Sequence, residues 1–339
     1  MSEQKQTEAE VQGAAKVSGF RRGLRGFQGF REGTTILIIV ALGFAMSLLS
    51  PYFLTGDNFR NLFMLFAING FVAIGMTLVL ISGGIDLSVG SIVALVGVIT
   101  GSLFFNAKMN IWLASVIGIL FGTLCGFING FFITRVGLSA FITTLGMMQV
   151  ARGATFVISA AMPIPLQSIP PAFKFLGRGI IPGIGVPFVI VLFIVSAVIF
   201  DFLSRRSTSI RKIYYVGSNE KAARFSGVNV NRVRIGVYVL SAVVASVAGV
   251  LTIARFNSAT PYYGDTIAFE TISAAVIGGA SLNGGEGTIL GAMLGMALLA
   301  LIQTSLNLLD VSPYWQNLVT GLILLAAVSL DFLSHRKRA

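Results

Sequence analysis

The chain has little with which to do covalent chemistry. It carries one cysteine, Cys125, and one histidine, His335. A single cysteine excludes an intrachain disulfide, and a lone histidine near the C-terminus leaves no serine–histidine–carboxylate set and no His/Cys metal cluster. No glycine is followed by lysine, so the Gly-x-x-x-x-Gly-Lys phosphate loop is absent. Charge is scarce as well. Only 11% of the 339 residues are charged, where a soluble domain carries about a quarter. No catalytic residue, metal or cofactor is expected, and the chain does not read as an enzyme.

Apolar runs are what the chain has instead. Hydrophobic residues make up 55% of it, and the mean hydropathy is +0.86. Runs near the length that crosses a ~30 Å hydrocarbon core recur. They do not alternate polar and apolar, which excludes a β-barrel. Backbone groups in lipid must pair within their own segment, so the runs are helices. Ten spans are expected, at 34–50, 59–82, 88–105, 111–134, 139–160, 186–203, 235–255, 266–280, 287–308 and 315–333. The fold class is all-α: a polytopic membrane helix bundle of about ten transmembrane helices.

The net charge of +11 does not point to nucleic acid, because basic residues sit in the tails and between apolar runs. Placing both tails inside puts 18 of the 24 Lys and Arg on the cytosolic side and five outside. That bias predicts an N-in/C-in topology. Residues 1–33 read as a polar cytosolic tail, either disordered or with a surface-lying stretch around Phe20 to Phe30. Residues 34–333 form the membrane domain, with a cytosolic loop at 204–234, and 334–339 a basic cytosolic tail. The outer segment 161–187 holds Pro163, Pro165, Pro170, Pro171, Pro182 and Pro187. It reads as an irregular loop, either a docking surface or a linker.

Glycines recur every fourth residue at Gly118–Gly122–Gly126–Gly130 and Gly287–Gly291–Gly295. Such spacing lets helices approach closely, inside the bundle or across a dimer contact. A short internal repeat pairs Ile81-Ser82-Gly83-Gly84-Ile85-Asp86-Leu87 with Val276-Ile277-Gly278-Gly279-Ala280-Ser281-Leu282.

Asp86 is the sharpest feature of the first copy, with Ser88 two residues on. A carboxylate at membrane depth costs roughly 2.5–3.5 kcal/mol. Two roles are open: a cap at the start of the helix after a glycine break, or a path residue contacting solute hydroxyls or a coupling ion. Arg152 falls inside a span and needs a partner; it bridges helices or contacts solute. Asn69, Thr143, Thr144, Gln149, Gln303 and Asn307 place hydrogen-bonding groups in or beside spans, as path lining or as interhelical glue. In the loop 204–234, eight basic residues surround one acidic residue, Glu220. Asn219 is positioned to cap a helix of about two turns and Gly227 to end it. So short a helix is marginal in water and needs docking, on its own bundle or on a soluble partner.

Four stretches together resemble the permease subunits of ribose-type ABC sugar importers, within the branched-chain amino acid/sugar permease group. They are Gly75-Met76-Thr77-Leu78-Val79 running into Ser82 to Ser91; Ala140 to Met147 with Arg152-Gly153; Val216 to Val230; and Gly278 to Thr288. The similarity runs from about residue 35 to the C-terminus. Ser218 departs from it, standing where the family often has a second glycine.

The resemblance implies a multi-pass protein of the bacterial inner membrane. It implies a homodimer, that is, a second permease copy across a central path. It also implies two ATP-binding subunits, or one fused double ATPase, and an extracytoplasmic sugar-binding protein. On it, residues 217–227 become the coupling helix, with Gly217, Asn219, Glu220, Ala222, Ala223, Arg224 and Gly227 as its ATPase-facing set. An ion-coupled secondary transporter and an ABC permease for a non-sugar solute are the rival readings.

Overall fold

The computed structural model describes residues 31–336. The tail readings for 1–30 and 337–339, with the Phe20–Phe30 stretch, lie outside the described residues. The regular structure of the described residues is helical apart from two strands of two residues. The helices are α1 (Arg31–Leu49), α2 (Gly56–Ile81), α3 (Val89–Phe105), α4 (Ile111–Phe131), α5 (Ala140–Ser159), α6 (Pro171–Arg178), α7 (Phe188–Arg206), α8 (Thr208–Ser218), α9 (Glu220–Phe225), α10 (Val230–Phe256), α11 (Ile267–Ile277), α12 (Ile289–Leu308) and α13 (Pro313–Arg336). Strands β1 (Ile164–Pro165) and β2 (Ser258–Ala259) pair antiparallel.

Seven helices are long and apolar enough to cross a membrane: α1, α2, α4 with its π-helical extension to Val136, α5, α7, α10 and α12. The remaining expected spans fall on α3, α11 and α13. Of these, α3 has 17 residues and α11 only 11. At 1.5 Å per residue α11 is about 16 Å long, roughly half a hydrocarbon core. The expected span at 266–280 is therefore corrected to a half-length helix.

Helices α2 and α10 form the centre, and both are buried along most of their length. The glycine ladder of α4 explains how α10 and α3 approach it. A Cβ on Gly126 would overlap Ala242 and stand 2.5 Å from the Tyr238 carbonyl oxygen, and one on Gly118 would stand 3.1 Å from Val96 O. Gly291 and Gly295 of α12 press in the same way on Gly278, just after α11, and on Ala274 within it. These glycines serve packing within one chain.

Both expected loops contain short helices. In 161–187, Pro171 occupies the first turn of α6, where a missing N–H costs nothing. Ile164 pairs with Ala259, and Ile180 bridges to Pro187. In 204–234, α7 runs on to Arg206, and α8, α9 and the start of α10 fill the rest. Extended backbone at Ser207 and Asn219 separates them. Helix α8 turns Ile213 and Val216 inward and leaves its basic face outside.

Candidate functional site

The polar knob is built by Asn219. Its backbone is extended (φ −155°), and its side-chain oxygen accepts from the Ala222 N–H at 2.9 Å. That bond satisfies one of the free amides at the start of α9. Gly227, at φ +79°, reverses the chain after it. The intervening helix has six residues, and it is docked on its own bundle. Buried Ala223 packs with Val216 and Val230. Glu220 Oε1 takes Arg224 at 2.7 Å, while Oε2 takes Arg234, on α10, at 2.8 Å. The hydrogen bond from Arg224 holds the Glu220 carboxyl below the usual carboxylate range, and the charge of Arg234 adds to it. Phe225 is 93% exposed. Beside it a groove of about 520 Å³ is lined by Arg211, Lys212, Tyr215, Asn219, Ala222 and Ser226, among others.

The knob is joined to the two repeat copies. The Gly285 N–H donates to Ile81 O at 2.8 Å. Gly83, Gly284 and Gly285 all have positive φ, which only glycine adopts freely. Gly217, at the end of α8, lies in the corner they make.

Asp86 is fully buried. Its Oδ1 accepts from Ser88 N at 3.0 Å and Ser88 Oγ at 2.6 Å, and its Oδ2 from Ser241 Oγ at 3.3 Å. Asn129 donates to Ser88 Oγ at 2.9 Å. The carboxylate thus ties α4, α10 and the start of α3 together. The helix start itself is at Val89, so Asp86 holds the Ser88 amide rather than one in the first turn.

Thr144 sits beside this group, donating to Ala140 O at 2.8 Å and to Ile85 O at 3.4 Å. Thr143 bonds back to Ser139 O. Asn69 is buried and donates to Glu270 Oε2 at 3.0 Å; Thr266 donates to Glu270 Oε1 at 2.6 Å. Gln149 is exposed on α5. Gln303 is half-buried, and Asn307, exposed near the end of α12, accepts from Gln316 at 2.8 Å.

Arg152 bridges differently from the expected helix-to-helix link. Its NH1 donates to Pro261 O and to Tyr263 O, the latter at 3.0 Å, and its NH2 pairs with Asp265 at 2.6 Å. The partner is the connecting stretch before α11, where Arg152 takes the Pro261 and Tyr263 carbonyls.

The residues that sequence reasoning missed are Asn129, Ser241, Asp265 and Glu270. Glu270 carried a readable signal, since it is a carboxylate inside an expected span. Glu270 thus joins Asp86 and Arg152 as an ionisable residue in or beside an expected span. The partnership of Asp265 with Arg152 links residues 113 apart and leaves no local pattern.

Residues 58–328 match the family described as "Branched-chain amino acid transport system / permease component". The chain is 37% identical over 299 residues to the ribose import permease protein RbsC of Bacillus subtilis (strain 168), covering 88% of this chain and 90% of the relative. It is 36% identical over 296 residues to RbsC of Escherichia coli (strain K12), covering 87% and 91%. Over the same length it is 36% identical to the L-arabinose transport system permease protein AraH of that organism, covering 87% and 89%. No solved structure gives a significant match.

Proposed function

Because this chain belongs to the branched-chain amino acid transport system / permease component family, we propose that it is the membrane permease of an ATP-driven importer for a monosaccharide. The observation that carries this is the extent of the similarity. Permeases named for ribose and for arabinose import match nearly nine-tenths of the chain at 36–37% identity. The chain is a transport subunit, and ATP hydrolysis belongs to a separate partner. A binding protein delivers the sugar from outside, and the protein lies in the bacterial inner membrane.

Finer points extend the reading. Two copies pair around the path, served by two ATP-binding subunits or one fused double ATPase. Both tails face the cytosol and the chain crosses ten times, with residues 257–266 and α11 together making one crossing. Gly217, Asn219, Glu220, Ala222, Ala223, Arg224 and Gly227 meet the ATPase. The exposed Phe225 and the adjacent basic groove support this, because such a projection gains burial only from a partner. Closure of the ATPases then favours one state of the bundle through differential binding energy.

Reconstitution tests the reading. The permease, its ATPase and its binding protein are placed in proteoliposomes, and uptake of D-ribose and L-arabinose is followed. Uptake that needs both ATP and the binding protein supports it. Uptake driven by an ion gradient alone refutes it in favour of a secondary transporter.

A further inference from the structure

The stretch between α10 and α11 does not stay at the membrane surface. A Cβ on Gly101 would stand 2.7 Å from Ala259 Cβ, and one on Gly90 would overlap Gly264 O. Gly90 and Gly101 lie on one face of α3, eleven residues and about 16 Å apart. Between Ala259 and Gly264 the chain therefore descends along α3. Its depth there is fixed by α10, a 27-residue helix. Ser241 and Gly249, either side of the middle of α10, touch Asp86 and Val93, which bracket Gly90. Gly264 is thus near mid-depth, and α11 starts there and covers only the remaining half.

Irregular backbone at that depth persists only where protein buries it or water lines it. Arg152 satisfies the Pro261 and Tyr263 carbonyls from α5. Asp265, next in line, is not buried. Its side chain is 61% exposed against 12% for Arg152. Its Oδ1 pairs with Arg152 at 2.6 Å. A carboxylate facing lipid at mid-depth costs roughly 2.5–3.5 kcal/mol. On the neighbouring α5, Gln149, one turn before Arg152, is exposed as well.

We propose that residues 257–266 form a re-entrant segment whose Asp265 carboxylate faces the water-filled solute path at mid-depth and accepts hydroxyls of a neutral polyhydroxylated solute. Arg152 is its positioning residue: it holds the segment by two carbonyls and orients the carboxylate through Oδ1, leaving Oδ2 for the solute. The ligand class rests on the importer reading above, whereas the location in the path does not.

Thiol labelling tests the location. The full-length chain carries Cys125→Ser with Asp265→Cys, in native membranes with its partner subunits, and is treated with a membrane-impermeant cationic methanethiosulfonate. The control is Leu120→Cys in the middle of α4, a site 62% exposed on the apolar surface. The thiol from Asp265→Cys is expected to react at least tenfold faster than the control. Equal, slow reaction overturns the proposal and places the segment against lipid or a second copy. If Asp265→Cys fails to insert, Gln149→Cys gives the same two outcomes with Asp265 intact.

Sugar uptake tests the ligand class. Asp265→Asn is expected to raise KM for D-ribose or L-arabinose at least tenfold at unchanged membrane abundance, with partial recovery in Asp265→Glu. An unchanged KM overturns the solute contact. Absence of any sugar uptake by the unmodified chain overturns the importer reading and the ligand class, and leaves the labelling result to decide the location.

Discussion

Gly217 fits against Ile81 so closely that a Cβ on the glycine would overlap the Ile81 carbonyl oxygen and stand 2.7 Å from Gly285 N. Both obstacles are backbone, and they are already joined by the Gly285–Ile81 hydrogen bond at 2.8 Å. The end of α8 is therefore keyed into the junction of the two glycine-rich breaks. A displacement of α8 and α9 must move that junction or separate from it.

Gly217→Ala is expected to break this fit. Neither neighbour is a flexible side chain, so the overlap forces α8 outward, at an overpacking cost of about 1–3 kcal/mol. The variant is expected to insert, to bind ATPase weakly, and to lose at least 90% of uptake. Membrane abundance, co-purification of the ATPase and uptake check it. Normal uptake by Gly217→Ala shows that the contact transmits nothing.

Much of this architecture could be read from the sequence, for local reasons. Nine of the expected spans coincide with helices of near-spanning length because lipid leaves a long apolar run no other conformation. The Asn219 cap and the Gly227 reversal were legible because capping is a short-range matter of side-chain geometry. What escaped depends on long-range contact. The descent of residues 259–264 follows from Gly90 meeting Gly264, 174 positions away in sequence. The helical order of 204–218 was hidden by its basic composition, although Ile213 and Val216 share the buried face. Gln149 and Arg152 were visible as polar residues in a span, but nothing local assigns Asp265 to either.

The tether at Glu220 gives a second expectation. Its two oxygens are divided between Arg224 within α9 and Arg234 on α10. Glu220→Gln removes both ion pairs while preserving size. Exposed pairs contribute little to stability, about 0–1 kcal/mol each, so the chain is expected to insert at its usual level. The orientation of α9 is what suffers, and uptake per ATP hydrolysed is expected to fall at least threefold. Glu220→Lys combined with Arg224→Glu re-forms the pair within α9 and sets a lysine against Arg234, so it is expected to be no better than Glu220→Gln. The pH dependence has a definite sign. Because the folded carboxyl titrates below its ordinary range near 4.3, the tether is complete above that range and is lost only as pH falls through the lower folded value. The coupling ratio of the unmodified transporter, measured from pH 7.5 to 5.5, is therefore expected to show no step from this group.

Asp86 supplies the third. Three donors converge on its carboxylate: the Ser88 amide, the Ser88 hydroxyl and the Ser241 hydroxyl. Behind Ser88 stands Asn129, whose Nδ2 depends on the Ser88 oxygen being held in place. Asp86→Leu leaves these donors buried without an acceptor, at about 1–3 kcal/mol for each group left unsatisfied. Asp86→Asn keeps one carbonyl acceptor and the size. The expected order of folded permease in the membrane is therefore unmodified chain, then Asp86→Asn, then Asp86→Leu, with the last below a tenth of the first by detergent-resistant fluorescence of a fusion. The protein that does fold is expected to keep its sugar preference, because no face of Asp86 reaches solvent. A well-folded Asp86→Leu permease with altered preference among sugars would place the carboxylate in the path instead, and would require the helix break after Gly83 to open during transport.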